Sequence, residues 1–304
     1  MNIGKYLSDK PDRAVCPGLQ LNDLASLAAG VKSVVYTTTR GREESRLLDG
    51  LCSDLKLKKV VLGENRDVNS AVMTDVLIGA SPGKLAASKK AYQSVRSRKW
   101  GVSFDWGVSL DYPECCVKSY ISWHTGNSYK DLIRHIYGLS PSGTTFPFWM
   151  NNVFNYYSRL NRQAYRRDYA SFSNLNQGMD RESIIPWHPC SYLCEASMKK
   201  GWLVYEVFKR HMPLTAAARK VMLSKPVVFW DNFIFAILNG ECRKTPDGFT
   251  AAYKGLSAPR SLLGRKTGEA LSGPGKLHIT PAGKILNSAK LHIPKDHIFI
   301  PFSL

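Results

Sequence analysis

Residues 110–123 read LDYPECCVKSYISW, and residues 185–208 read IPWHPCSYLCEASMKKGWLVYEVF. Each stretch places two cysteines shortly after a proline and before apolar residues at helical spacing. Because proline is tolerated at the first position of a helix, each cysteine pair is predicted to open a helix. These two helices form the predicted frame of a central, mainly helical domain.

The first motif predicts a helix that starts near residue 113. Asp111 is a good N-cap residue, and Pro113 suits an early helical position. Cys115 and Cys116 therefore fall in the first turn of this predicted helix.

The second motif predicts a helix that starts at Pro189. Cys190 and Cys194 are four residues apart, and residues with that spacing share one face of a helix. Both pairs then lie where free N–H groups and the positive end of the helix dipole favour the thiolate form.

The cysteine pairs indicate a metal site. The chain has seven cysteines, an odd number, and in a reducing compartment paired cysteines more often bind metal or catalyse reactions than form disulfides. The alternative explanation is a set of buried core cysteines. The predicted ligands are Cys115, Cys116, Cys190 and Cys194, whereas Cys16, Cys52 and Cys242 stand alone.

The spacing leaves two kinds of metal open. Structural zinc sites commonly use two C-x-x-C pairs, whereas this chain has C-C and C-x-x-x-C. Neighbouring helical residues point about 100° apart, so both three and four cysteine ligands are open possibilities. Adjacent cysteines suit the larger perimeter of a polynuclear cluster, and we therefore favour an iron–sulfur cluster of the 4Fe-4S type, with zinc as the alternative.

Three residues beside the cysteines are candidates for proton transfer. His188 precedes Pro189 and is a candidate ligand or acid–base group, although a histidine there also suits a helix cap or a group that orients a ligand. Glu114 and Glu195 each neighbour a cysteine, and a solvated glutamate in a first helical turn is the alternative for both.

The charge of the chain predicts an anionic partner. The formal net charge is +18, and residues 151–225 carry twelve basic against five acidic residues. Residues 151–172 are predicted to form a basic helix on which Arg159, Arg162 and Arg166 share a face. That stripe suits phosphates of a nucleic acid or an anionic small molecule. A solvated helix face is the alternative.

The remaining sequence predicts an α+β fold in three parts. Residues 1–99 form a small α/β unit, with strands at 31–39, 58–63 and 75–80, a helix at 41–57 and a parallel sheet as one arrangement. Residues 100–240 form the helical cysteine-motif domain, which ends in a helix at 231–240 closed by Asn-Gly. Residues 241–304 form a basic, β-rich tail with a hairpin at Pro-Asp-Gly (246–248).

The composition of the chain indicates the environment in which the protein functions. Hydrophobic residues make up 44% and charged residues 22% of the chain, as in ordinary globular proteins. No stretch reaches eighteen apolar residues, and the first residues lack the apolar segment of a signal peptide. We therefore expect a cytoplasmic protein without a membrane partner.

The two motifs together resemble a known family. YPECCV (112–117) combined with H-P-C-S-x-x-C-E-x-S (188–197) is similar to the pattern of a family catalogued as domain of unknown function 483, over about residues 100–210. The resemblance implies a cysteine-centred site at Cys115, Cys116, Cys190 and Cys194. It implies no particular reaction.

Two main functions follow as hypotheses. The first is an iron–sulfur enzyme, a lyase or transferase, in which a cluster with one open iron performs non-redox Lewis-acid or sulfur-transfer chemistry on an anionic substrate. The second is a zinc-stabilised module that binds RNA or DNA. Electron transfer ranks third, since carriers are usually smaller or hold several clusters.

Overall fold

The computed structural model describes residues 3–10, 19–66, 72–96, 103–126, 131–153, 183–230, 235–258, 263 and 265–304. Helices and strands both contribute, and the expected α+β class is confirmed. The helices are α1 (Ile3–Asp9), α2 (Leu21–Ala28), α3 (Gly41–Leu55), α4 (Pro82–Arg96), α5 (Phe104–Ser109), α6 (Glu114–Gly126), α7 (Leu132–Gly138), α8 (Glu195–His211), α9 (Pro213–Leu223) and α10 (Arg265–Ser272). The strands are β1 (Val34–Arg40), β2 (Lys58–Arg66), β3 (Val72–Gly79), β4 (Phe146–Pro147), β5 (Val227–Phe229), β6 (Phe235–Thr245), β7 (Gly248–Ala258), β8 (Gly275–Ile279), β9 (Ile298–Ile300) and β10 (Phe302–Ser303).

The chain divides into two compact units. The first contains Met1–Thr125 and Lys199–Ala217, and the second contains Gly126–Met198 and Ala218–Leu304. The sequence-based division at residues 99 and 240 stays a prediction.

The first unit is built on an antiparallel sheet with strand order β1-β3-β2. The parallel sheet, which the sequence left as one arrangement, is therefore not the one that forms. Only five residues separate β2 from β3, whereas a parallel connection needs a crossover of a dozen or more residues.

Helices α3 and α4 pack on this sheet. Val34 of β1, Leu77 of β3 and Leu85 of α4 are buried in one apolar cluster with Leu110. The strand predicted at 58–63 lies within β2, and Val61 of this strand is 50% exposed.

The second unit contains a five-stranded antiparallel sheet with strand order β8-β7-β6-β5-β9. The predicted hairpin is present, because β6 and β7 pair directly with Thr245 opposite Gly248. A short parallel pair, β4 with β10, completes the described strands of this unit.

The helix predicted at 231–240 is wrong for the residues that are described, since 235–240 open strand β6. Phe235, Ala236, Ile237 and Leu238 are all fully buried. A short apolar run buried on every side has no periodicity that distinguishes strand from helix.

Asn-Gly at 239–240 marks an irregularity in the β6–β7 pairing rather than the end of a helix. A Cβ atom at Gly240 would overlap the carbonyl oxygen of Ala252 on β7. Glycine in a strand often marks such a close approach of another backbone.

Candidate metal centre

The first cysteine pair opens helix α6, as predicted. The helix begins at Glu114, directly after Pro113, whose carbonyl oxygen accepts hydrogen bonds from the N–H groups of Cys116 (2.9 Å) and Val117 (3.0 Å). Cys115 is exposed and Cys116 is buried. The two side chains of this pair thus differ in their access to solvent.

Asp111 is not the N-cap of α6, because Pro113 occupies the position directly before the helix. Asp111 instead has a left-handed backbone, with φ at 60°. Its carboxylate accepts hydrogen bonds from the backbone N–H (2.7 Å) and the hydroxyl (2.5 Å) of Ser33. Aspartate is among the few residues that tolerate this conformation, and the Ser33 contacts fix the entry to the first motif.

The second cysteine pair lies before helix α8 rather than inside it. The helix begins at Glu195, and the N–H of Cys194 donates to the carbonyl oxygen of Ser191 (3.1 Å) in a turn. The expectation that Cys190 and Cys194 share one helix face is therefore wrong.

Tertiary packing explains why this segment is a turn. The ring of Tyr192 is fully buried and packs against Phe146 and Phe302, with centroid separations of 5.2 and 5.0 Å. Its backbone N–H donates to the hydroxyl of Ser140 (2.9 Å). These contacts position the segment that joins Cys190 to Cys194.

The four predicted cysteines form one group. The sulfurs of Cys115, Cys116, Cys190 and Cys194 all lie within 4.8 Å of one another. The two sulfurs of Cys115 and Cys116 are 3.9 Å apart. Four thiol groups at such separations could hold a metal ion.

The upper limit of 4.8 Å on the sulfur separations can be compared with the dimensions of known sites. With Zn–S bonds of about 2.3 Å, the edge of a regular tetrahedron of sulfurs is about 3.8 Å. In a cubane cluster each thiolate binds a different iron, so the ligand sulfurs lie farther apart than they do on one ion. The donor set therefore suits a thiophilic metal.

A lysine that no sequence motif points to lies beside the first cysteine motif. The ammonium group of Lys200 donates hydrogen bonds to the carbonyl oxygens of Val31 (3.4 Å) and Asp111. Burial lowers the pKa of Lys200, whereas the charges of Asp111 and Cys116 raise it and that of Lys32 lowers it. Lys200 thus lies near Cys116, and sequence spacing gave no signal of this placement.

The candidate acid–base residues lie near the cysteines but outside the four-sulfur group. Glu114 and Glu195 are exposed and occupy the first turns of α6 and α8. His188 is half-buried, and burial lowers its pKa to about 4, so its imidazole is neutral at pH 7. Catalytic roles for these three residues stay predictions.

The remaining predicted residues divide into two sets. Cys52 lies in α3 and Cys242 in β6, so neither joins the four-sulfur group. The proposed arginine stripe and one lone cysteine fall outside the described residues, namely Arg159, Arg162, Arg166 and Cys16.

Comparison of the chain with protein-family models, with curated proteins and with solved structures finds no match. The resemblance to domain of unknown function 483 stays a prediction. Within the described parts of the chain, no helix is both long and apolar enough to cross a membrane.

Proposed function

We propose that the protein is a zinc-stabilised nucleic-acid-binding protein. The observation that carries this proposal is the group of four cysteine sulfurs within 4.8 Å of one another. Four protein thiolates would fill the tetrahedral coordination of zinc and leave no position for a substrate. A filled site of this kind serves structure, because its binding free energy adds to the free energy of folding.

The stabilising role follows from how far apart the ligands lie in the sequence. Seventy-three residues separate Cys116 from Cys190. An ion bound by both pairs would hold the two segments together and offset the entropy lost when so long a loop is closed. The metal therefore fixes the local fold rather than performing a reaction.

The binding role rests on charge. A net charge of +18 on 304 residues attracts polyanions, and neutralising phosphates releases condensed counterions. Arg159, Arg162 and Arg166 stay predicted phosphate contacts.

Metal analysis of protein purified without oxygen tests the proposal. We expect one zinc per chain, and we expect cobalt substitution to give the intense sulfur-to-metal absorption and tetrahedral d–d bands of a four-thiolate site. Nitrocellulose filter binding to RNA and DNA at several salt concentrations tests the nucleic-acid-binding half of the proposal. Protein that contains no metal under any condition, or that binds neither nucleic acid at low salt, would contradict the corresponding half.

The iron–sulfur enzyme is the second candidate. The exposure of Cys115 supports it, because an exposed ligand leaves one side of the site open to solvent or to an anionic substrate. Iron with acid-labile sulfide, and a cluster spectrum that changes when small anions are added, would favour this candidate over zinc.

A further inference from the structure

Strands β6, β7 and β8 have one buried face and one exposed face. Phe249, Ala251 and Tyr253 of β7 and Leu277 and Ile279 of β8 belong to the apolar core, as does Leu271 of α10. The residues that alternate with them on β7 and β8 are exposed, except Thr250, which is half-buried. The exposed face, which we call the basic face, comprises Glu241, Arg243, Thr250, Ala252, Lys254, Lys276 and His278.

The strand register places these residues in two rows across the sheet. Arg243 lies opposite Thr250, which lies opposite His278. Glu241 lies opposite Ala252, which lies opposite Lys276. Directly opposed residues of antiparallel strands project from the same side of the sheet, so each row is a continuous line of side chains.

The centre of the basic face is a strip of small residues, and charged residues lie on both sides of it. Thr250 and Ala252 lie on the middle strand, and neighbouring strands are about 4.8 Å apart, so the cations on β6 and β8 flank a strip about 10 Å wide. Lys254 extends the middle strand, and the ammonium of Lys225 donates to Ser257 further along it (2.9 Å). The basic face thus has three lysine and arginine residues against one carboxylate, and Lys225 adds a fourth cation beside it.

The cations of the basic face are available to a partner. The Arg243 side chain is 84% exposed, and its contact with Glu241 is long, at 3.8 Å between nitrogen and oxygen. An exposed pair of this kind holds its partners weakly. Lys254, Lys276 and His278 are also exposed.

We propose that the basic face binds the backbone of single-stranded RNA, an inference that rests on the proposed nucleic-acid binding and locates it. The broad face of a sheet cannot enter the major groove of a duplex as a helix or a protruding ribbon does, whereas an extended strand can lie along the central strip. Lysine and arginine at the borders neutralise phosphates. The face offers small and hydroxyl-bearing residues at its centre, so it contacts the backbone and does not distinguish bases.

Glu241 selects RNA over DNA in this arrangement. A carboxylate only accepts hydrogen bonds, and it repels phosphate. The ribose 2′-hydroxyl is the group of RNA that can donate to it, and DNA lacks this group. Glu241 therefore weakens the binding of DNA. In RNA the same carboxylate accepts a hydrogen bond from a 2′-hydroxyl.

The test compares two charge-matched triple variants of the full-length, metal-loaded protein. One removes three cations of the basic face (Arg243→Gln, Lys254→Gln and Lys276→Gln), and the control removes three exposed lysines elsewhere (Lys56→Gln, Lys89→Gln and Lys90→Gln). Fluorescence anisotropy measures binding to a labelled 15-nucleotide RNA, to DNA of the same sequence and to the RNA duplex. All replaced residues are exposed, and circular dichroism with metal content checks that each variant is folded.

We expect the basic-face variant to lose at least about 10-fold in RNA affinity, and its log–log salt slope to fall by about 2, since each single-strand phosphate contact contributes roughly 0.7. The control should change affinity less than about twofold. Glu241→Gln should raise DNA affinity and reduce the preference for RNA. Base composition of the RNA should have little effect.

Equal losses in the two triple variants, or no loss in the basic-face variant, would overturn the location of the site while leaving nucleic-acid binding intact. An equal gain for RNA and DNA in Glu241→Gln, or a preference for the duplex, would overturn the assignment to single-stranded RNA. A wild-type protein that binds no nucleic acid but does bind phosphatidylserine vesicles through this face would overturn both proposals.

Discussion

The ammonium group of Lys200 donates a hydrogen bond to the backbone carbonyl oxygen of Asp111, four residues before Cys115. The Asp111 carboxylate is held in turn by Ser33. Lys200 thereby fixes the chain that leads into the first cysteine pair and places a positive charge near Cys116. Four thiolates around a divalent ion carry a net charge of −2, which a neighbouring cation stabilises.

Replacing Lys200 with methionine should weaken metal binding while leaving the fold intact. The variant keeps the length of the side chain but loses its charge and its hydrogen bonds to Asp111 and Val31. Groups that orient metal ligands typically contribute 10- to 100-fold to affinity, so we expect a loss of at least about 10-fold in competition with a chromophoric chelator. Lys199→Met, at an exposed neighbouring position, is the control and should bind metal as wild type does. Equal affinities for the two variants would refute the role of Lys200.

Serine at Cys116 or Cys194 should abolish stoichiometric metal binding. Both residues belong to the four-sulfur group, and serine is a poor ligand for a thiophilic ion. Loss of the ion should also lower the thermal midpoint, because metal binding adds to folding free energy. Cys242→Ser, in strand β6 and outside the group, should keep its metal. Plasma emission spectrometry measures the content, and full metal in both ligand variants would show that the site is wrongly assigned.

Alanine at Gly240 should destabilise the second unit. The added Cβ would overlap the carbonyl oxygen of Ala252 on the paired strand, so β6 and β7 must separate locally. Inserting one methyl group into such a space typically costs about 1–3 kcal/mol, measured by urea unfolding. Gly50→Ala in helix α3, where a Cβ meets open space, is the control and should not destabilise. A wild-type midpoint for Gly240→Ala would contradict the close approach of the two strands.

His297 should make the second unit less stable at acid pH. Its Nε2 accepts a hydrogen bond from the N–H of Ile285 (2.9 Å), which only the unprotonated nitrogen can do. Burial lowers the pKa of His297 in the folded state, with the charges of Lys284 and Arg134 acting in the same direction and Pro294 and Asp296 opposing it. As the pH falls, the unfolded chain therefore protonates at His297 before the folded protein does. The contribution of His297 to the free energy of unfolding is complete above pH 6.5. It is lost as the pH falls through the lowered pKa of the folded state.

Urea unfolding between pH 7.5 and 5 measures this dependence. His297→Gln should be less stable than wild type at pH 7.5 and should lose less stability on acidification. His278→Gln, an exposed histidine on β8, should match wild type at both pH values. An unchanged pH dependence in His297→Gln would show that other groups, such as the cysteines, account for the acid sensitivity.

Local sequence signals predicted the elements that depend on local contacts. Leu48, Leu51 and Leu55 recur at helical spacing and form the buried side of α3, and the β-branched run near Val34 forms β1. The cysteine group was also predictable, because thiols rarely recur in matched contexts without a chemical reason. These features depend on periodicity and residue type, which a single sequence displays.

The parts of the fold and of the site that the sequence did not predict depend on contacts between residues far apart in the chain. The turn between Cys190 and Cys194 depends on Tyr192 packing against Phe302, more than a hundred residues later. The cation near Cys116 comes from Lys200, on another helix. The apolar run at Phe235 became a strand because partner strands were available on both sides. No pattern within a short window encodes such partners.

The edge position of strand β2 also bears on how the protein behaves at high concentration. An edge strand can template the addition of a strand from another molecule, which leads to aggregation. Strand β2 begins with Lys58 and Lys59, and its pairing is interrupted between Val61 and Gly63. Lys59 also forms an ion pair with Asp49 of α3. Charged residues and an irregular register on an edge strand disfavour the addition of a further strand. Strand β2, in which Val61 is half exposed, thus carries features that oppose self-association.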